Sequence, residues 1–190
     1  SRRLRQRGIQ RFEDYCNLLE THDDTVEMNE FVNALTTNLT SFFREAHHFE
    51  FLAKELLPAL VRQQSLGSRR LRIWSAGCST GEEPYSIAMV VRETLPAVGW
   101  DVKILATDLD SNVLATAERG VYDESRVKDL SDARLRRWFQ KGRGAQAGQV
   151  RVASALRELI TFRRLSLMEE WPMRGPFDVV FCRNVVIYFD

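Results

Sequence analysis

The sequence predicts an α/β protein: a parallel, doubly wound sheet preceded by a helical segment and interrupted by a small antiparallel insertion. Three observations carry this. From Leu71 to Gly120, apolar runs with strand character alternate with helical patterns in the order β-α-β-α, which requires a parallel sheet with right-handed crossovers. Residues 1–65 hold their apolar residues at helical spacing. Residues 121–165 break the rhythm with a charged stretch and a glycine-rich turn between short alternating runs.

In chain order, Arg2, Arg3, Arg5, Arg7 and Arg11 crowd the start, and Phe12, Tyr15, Leu18 and Leu19 form the expected buried side of a first helix. A polar turn at 21–25 follows, and Asn29 is placed to cap a short helix carrying Phe31, Val32 and Leu35. The run 36–40 reads as one helix ending and another being capped. Phe49, Leu52, Ala53, Leu56 and Leu60 then mark a helical stripe in which Pro58 predicts a kink. Leu71, Ile73 and Trp74 lead into the small-residue loop Ser75 to Gly81, and Pro84 suits the first position of the helix that follows. That helix buries Ile87, Ala88, Val90 and Val91 and stops at Pro96. Val102 to Ala106 forms a second buried strand, after which Ser111 caps a helix closed by Gly120. Arg126 to Trp138 is charged, and Val150, Val152, Leu159, Ile160 and Phe162 have strand character around the turn 141–148, so 121–165 is read as the insertion. Phe177 to Phe189 returns to a buried strand ending in Arg183 and Asn184. A doubly wound sheet would continue beyond this, so the last part of the sheet is expected to be missing.

Bulk properties narrow the function. The 190 residues carry a net charge of +1, which provides no global field toward nucleic acid or an anionic membrane. No run is long and apolar enough to span a bilayer, and nothing resembles a signal peptide. Three widely spaced cysteines, Cys16, Cys78 and Cys182, form neither a disulfide framework nor a metal pattern, which favours a reducing cytosol.

The loop at 75–85 has the arrangement of a small-molecule site at a strand's carboxyl end. Free N–H groups at the helix start favour Glu82 and Glu83 there, while the same carboxylates disfavour a phosphate. A ligand with a cationic or hydroxyl-rich end fits better. Asp108, at the end of the second strand, is suited to accept hydrogen bonds from ribose hydroxyls; its alternative is a capping role. The loop lacks a dinucleotide fingerprint. In Asn38-Leu39-Thr40-Ser41-Phe42-Phe43-Arg44, polar groups interleave with an aromatic pair, whose plainer reading is a capped helix start with core phenylalanines.

Three segments carry a resemblance that bears on these alternatives. Residues 33–49 (with Asn38-Leu39-Thr40-Ser41-Phe42-Phe43-Arg44 at their centre), Ser79-Thr80-Gly81-Glu82-Glu83-Pro84-Tyr85-Ser86, and Phe181-Cys182-Arg183-Asn184-Val185-Val186-Ile187-Tyr188-Phe189-Asp190 closely resemble the CheR family. Its members are S-adenosylmethionine-dependent enzymes that esterify glutamates on bacterial chemoreceptors. The resemblance implies a Rossmann-like methyltransferase sheet, with 1–65 as the N-terminal helical domain and linker. Residues 66–190 are then the S-adenosylmethionine-binding domain, with the insertion at about 121–165 as its β-subdomain. It implies that Asn38, Thr40 and Arg44 contact cofactor or substrate. Glu83 with Glu82, and Asp108, hold the cofactor's polar ends. Ser166 and Leu167 flank the adenine, Ser166 standing where the family usually has Asn. Arg183 and Asn184 face the methyl donor, and Tyr188 is the active-site tyrosine. Arg44 and Tyr188 are the expected catalytic pair.

The implied chemistry is methyl transfer from S-adenosylmethionine to a glutamate γ-carboxylate, giving a methyl ester and S-adenosylhomocysteine without a metal. The implied partners are chemoreceptor cytoplasmic domains, with a receptor C-terminal peptide at the β insertion, whose plainer reading is a flexible hairpin. The implied setting is the cytoplasm, with neither nucleic acid nor membrane insertion. Two alternatives remain at this stage: a non-catalytic module that binds the methyl donor or its product, and methyl transfer to nucleic acid, which the near-neutral charge disfavours.

Overall fold

The computed structural model describes residues 5, 8–21, 25–35, 38–63, 69–96 and 98–183. Arg2, Arg3, Arg7, Thr36, Thr37, Asn184 and Tyr188 lie outside them. The helices α1 (Phe12–Thr21), α2 (Thr25–Leu35), α3 (Ala46–Phe51) and α4 (Leu57–Gln63) come first. There follow β1 (Arg70–Ala76), α5 (Glu82–Thr94), β2 (Asp101–Asp108), α6 (Ser111–Arg119), β3 (Val121–Asp123), α7 (Asp132–Trp138), β4 (Phe139–Lys141), β5 (Gln149–Val152), α8 (Ser154–Arg157), β6 (Ile160–Arg164) and β7 (Val179–Cys182).

Four strands form the parallel sheet in the order β6-β2-β1-β7. Ile73 of β1 pairs with Ile104 of β2 on one side and with Val179 of β7 on the other. The chain thus leaves β1 toward opposite sides, which opens a crevice at its carboxyl end. Central β1 is covered on both faces: Leu71 and Ile73 through Ala76 are all buried, the pattern of a strand inside a parallel sheet. α5 buries every residue from Glu82 to Val91, because it packs against the sheet while α3, α4 and α8 cover its outer side. Each fully buried Leu, Ile or Met in this layer contributes on the order of 1.5–3 kcal/mol. A separate antiparallel sheet, β3-β5-β4, forms the insertion.

Several expectations need correcting. Ile160–Arg164, read as part of the insertion, pairs with β2 and is the edge strand of the parallel sheet. Asn29 caps nothing: α2 already begins at Thr25 and carries Asn29 in its interior. Phe12 is 59% exposed, so the buried side of α1 is organised by Tyr15, whose hydroxyl donates to the buried Glu27 at 2.5 Å. No side chain caps the helix after the 38–45 segment; it begins at Ala46 behind Glu45 in the left-handed region. Around Pro58 the helix widens into a π turn over Leu52–Leu56, where the Leu57 N–H donates to Leu52, five residues back. This fits a residue with no N–H of its own to offer. Pro84 is the third residue of α5, not the first, still within the turn whose N–H groups lack helical partners. The cap of α6 is Asp110, not Ser111; its carboxylate accepts from the N–H groups of Asn112 and Val113. Gly120 closes that helix at φ 60°, as expected.

Candidate methyl-donor site

The loop between β1 and α5 is bent by three residues in the left-handed region, Gly77 (φ 75°), Ser79 (φ 48°) and Gly81 (φ 96°). The Gly77 and Cys78 N–H groups both donate to the Thr107 carbonyl, at 2.8 and 2.9 Å, which fastens the loop to the end of β2. At that end Asp108 accepts the Ser79 N–H on Oδ2 at 2.7 Å and the Asp110 N–H on Oδ1 at 3.0 Å. Backbone N–H groups of Ser79, Asp110 and Leu109 act on this carboxylate, whose two oxygens still leave acceptor capacity for a further hydroxyl. Burial holds the Asp108 carboxyl above the usual carboxylate range, against the opposing pull of those N–H groups. Ser79 is 8% exposed, and its hydroxyl has no hydrogen-bond partner among the described residues. Burial, with Asp108 and Glu83 nearby, pushes the Cys78 thiol well up, so it is an inert small residue here.

The paired glutamates at the start of α5 diverge in role. Glu83 accepts the Ser75 hydroxyl at 2.7 Å on one oxygen and Arg183 Nε at 2.6 Å on the other. Arg183, at the end of β7, also donates to the Arg44 carbonyl at 2.6 Å and lies over the Phe49 ring at 5.3 Å. A carboxylate and a guanidinium are therefore set side by side in the crevice between β1 and β7. Glu82 is 0% exposed; its oxygens meet the Thr80 hydroxyl at 2.6 Å and the Arg126 guanidinium. It faces inward, and its partner Arg126 was not among the residues singled out in the sequence.

The 38–45 segment lies against this loop. Asn38 Nδ2 donates to Asp110 Oδ2 at 2.9 Å, and the Thr40 carbonyl accepts from Arg126 at 3.0 Å. Phe42 packs edge-on against Tyr122 and Phe139, and Phe43 against Phe49, so the aromatic pair belongs to the core in part. The Phe43 N–H donates to Ser86 Oγ at 3.0 Å. Phe43 (φ 53°) and Glu45 (φ 56°) are non-glycine residues in the left-handed region, a strain of order 1–3 kcal/mol each. Arg44 folds back so that Nη1 donates to the Leu39 carbonyl at 2.5 Å.

On the other side of Asp108, the Leu165 N–H donates to the Asp108 carbonyl at 3.0 Å, bringing half-buried Ser166 and Leu167 to the same strand end. Ser166 Oγ accepts the Met168 N–H at 3.2 Å. Asp108, Ser166, Leu167, Glu83 and Arg183 thus stand near the carboxyl ends of β2, β6, β1 and β7, whereas Asn38 is held by Asp110, Glu82 by Thr80 and Arg126, the Thr40 carbonyl by Arg126, and the Arg44 guanidinium by the Leu39 carbonyl. A ligand with a ribose and an amino-acid zwitterion fits this set: acceptor capacity at Asp108, an unsatisfied hydroxyl at Ser79, and paired opposite charges at Glu83 and Arg183. Among the described residues no group of acidic, His or Cys side chains is arranged to hold a metal ion. Ser75, Ser79 and Arg126 were missed by sequence reasoning. The first two were only small loop residues there, and Arg126 was one cation in a charged run.

Residues 38–190 match the family described as CheR methyltransferase, SAM binding domain, and residues 1–36 match CheR methyltransferase, all-alpha domain. A probable chemotaxis protein methyltransferase of Rhizobium etli is 45% identical over 191 residues, covering 100% of this chain and 71% of that protein. The chemotaxis protein methyltransferase of Escherichia coli is 45% identical over 190 residues, with 100% of this chain and 64% of that protein covered. Chemotaxis protein methyltransferase 2 of Pseudomonas aeruginosa is 47% identical over 191 residues, with 100% and 66% covered. The chain spans about two thirds of the length of these curated relatives.

Proposed function

The chain belongs to the CheR methyltransferase family, and from that premise we propose that it transfers a methyl group from S-adenosylmethionine to glutamate γ-carboxylates on the cytoplasmic domains of bacterial chemoreceptors. The products are glutamyl methyl esters and S-adenosylhomocysteine. The observation that carries this reading is the crevice at the end of β1, where Asp108 stands on one side and the Glu83–Arg183 pair on the other. Asp108 is assigned the ribose hydroxyls. Glu83 and Arg183 are assigned the ammonium and carboxylate of the methionyl end, and Ser166 and Leu167 the adenine side. Asn38 acts through Asp110, and Glu82 through Thr80 and Arg126, as supports of that site.

S-adenosylmethionine, when bound, supplies a methyl group activated on a sulfonium. A glutamate side chain has a pKa near ~4.3, so at neutral pH the acceptor is already ionised and no general base is needed. The protein's task is alignment and exclusion of water, because water stabilises the separated opposite charges better than a transition state in which they cancel. Arg44 positions the acceptor carboxylate and Tyr188 hydrogen-bonds to it. An arginine that held the carboxylate too tightly would quench it, so Arg44 has to leave its Leu39 carbonyl contact without forming a closed bidentate pair.

Among the described residues no further strand pairs with the outer edges of β3 and β4 in the antiparallel insertion, which suits addition of an extended peptide strand. A receptor C-terminal tail is the proposed occupant, and titration with tail peptides tests it. No described helix is long and apolar enough to cross a membrane; the cytoplasmic setting belongs to the same proposal as the receptor substrate. The deciding experiment incubates the purified protein with methyl-labelled donor and receptor cytoplasmic domains and scores base-labile label. Base-stable incorporation, or none, refutes the assignment.

A further inference from the structure

Arg126 stands on the short 3-10 turn Glu124–Arg126, immediately after β3 of the insertion, yet its guanidinium leaves the insertion altogether. It pairs with Glu82 at the start of α5 and donates to the Thr40 carbonyl at 3.0 Å. One cation thus ties three segments distant in sequence: the insertion, the β1–α5 loop and the 38–45 strap. Glu82 is 0% exposed while the Arg126 side chain stays 44% exposed, so the cation reaches inward from the surface to a buried carboxylate; without Arg126 that carboxylate keeps the Thr80 hydroxyl but loses its counter-ion. The neighbouring contacts run the same way. Tyr122 of β3 donates its hydroxyl to the Thr80 carbonyl at 2.7 Å and stacks edge-on with Phe42 at 5.2 Å. Arg134 of α7 lies over the Phe43 ring at 4.1 Å while gripping Glu93 of α5 at 2.7 Å. Three side chains of the insertion, Arg126, Tyr122 and Arg134, thus meet the β1–α5 loop, α5 and the 38–45 strap.

We propose that Arg126 is a positioning residue for the methyl-donor site: through Glu82 and the Thr40 carbonyl it holds the 38–45 strap closed over the β1–α5 loop, so that the antiparallel insertion takes part in cofactor binding. The strap needs such a clamp. Phe43 and Glu45 hold left-handed backbones that would relax if released. Coupling of this kind is reciprocal, so anything that shifts β3 and its turn changes affinity in the crevice, and cofactor binding stiffens the turn. The inference rests on the methyl-donor reading of the crevice.

The test uses S-adenosylhomocysteine binding by calorimetry, together with hydrogen exchange of the 38–45 amides in the ligand-free protein. For Arg126→Ala the expected result is about tenfold weaker binding, the loss of one charge-assisted contact network, with faster exchange confined to the strap and the Thr80–Glu82 turn. Arg126→Lys, which keeps the charge but not the fork, falls between it and wild type. Because Arg126→Ala leaves a buried charge, the pair Glu82→Gln with Arg126→Ala serves as control. It recovers thermal stability but keeps the weak binding and the fast strap exchange, since the Thr40 tie is still missing. Full recovery of affinity in that double variant overturns the proposal, as does Arg126→Ala with wild-type affinity and a protected strap. Failure of the wild-type protein to bind S-adenosylhomocysteine overturns instead the methyl-donor reading; strap exchange then still decides whether Arg126 is the clamp.

Discussion

Replacing Gly81 with alanine tests whether the β1–α5 loop is fixed by close packing. The backbone there has φ +96°, and a Cβ would sit 2.8 Å from Ala117 Cβ, 2.9 Å from the Tyr122 hydroxyl and 3.1 Å from Ala117 Cα. None of these atoms can swing aside: two belong to the short Ala117 on α6, and the Tyr122 hydroxyl is anchored to the Thr80 carbonyl at 2.7 Å. A left-handed alanine costs roughly 1–2 kcal/mol, and forced overpacking adds roughly 1–3 kcal/mol. The expected loss is therefore about 2–5 kcal/mol, a large part of a typical total of about 5–15 kcal/mol. Gly148 provides the control, because it has φ +84° with nothing within 4 Å of an added Cβ. Gly148→Ala carries only the backbone strain. In urea unfolding, Gly81→Ala should lower the midpoint by about 1–2.5 M for a slope of about 2 kcal/mol/M, and Gly148→Ala by about 0.5–1 M. Equal shifts for the two variants would refute the packing argument and leave only the dihedral.

Acidification should weaken S-adenosylhomocysteine binding, because protonating Asp108 removes the charged acceptor. Burial raises this carboxyl, so the loss begins above the ordinary range near ~3.9, and Asp108→Asn should flatten the profile. A pH-independent wild-type affinity would count against the ribose assignment. For stability the sign is opposite: a carboxyl raised in the folded state contributes most below its unfolded pKa and loses that contribution as pH rises through the folded value. Arg44→Ala and Tyr188→Phe should each cut methyl transfer while largely keeping S-adenosylhomocysteine affinity; unaltered turnover in both removes their assigned roles. Tyr85→Phe should cost only about 0.5–1.5 kcal/mol in thermal or urea unfolding. The hydroxyl donates to the Ala117 carbonyl at 2.7 Å, but that carbonyl keeps the Gly120 N–H at 3.1 Å.

The parallel sheet was legible because its central strands are apolar on both faces and are punctuated by Gly77, Gly81, Pro96 and Gly120. Strand β6 was misplaced for a physical reason. As an edge strand it alternates buried Ile160 and Phe162 with exposed Thr161 and Arg163, the period of a half-exposed hairpin strand. Asn29 misled because the apolar residues Phe31 and Val32 suggested a later helix start, whereas Thr25–Leu35 is continuous. Asp108 could be found from its place at a strand end. That Glu83 should pair with Arg183, or Glu82 with Arg126, could not, since the partners are 100 and 44 residues away and no local period links them. Opposite charges brought together only by tertiary packing leave no local trace in the chain.

The Glu83–Arg183 pair also constrains how the molecule comes into being. Glu83 is made a hundred residues before its counter-ion. Until β7 docks beside β1, closing α5 over the sheet would bury that carboxylate without its cation, which is strongly unfavourable. The crevice should accordingly consolidate only after β7 and Arg183 have been made. A growing chain that has not yet reached Arg183 is held back from forming a finished pocket that could trap a ligand too early.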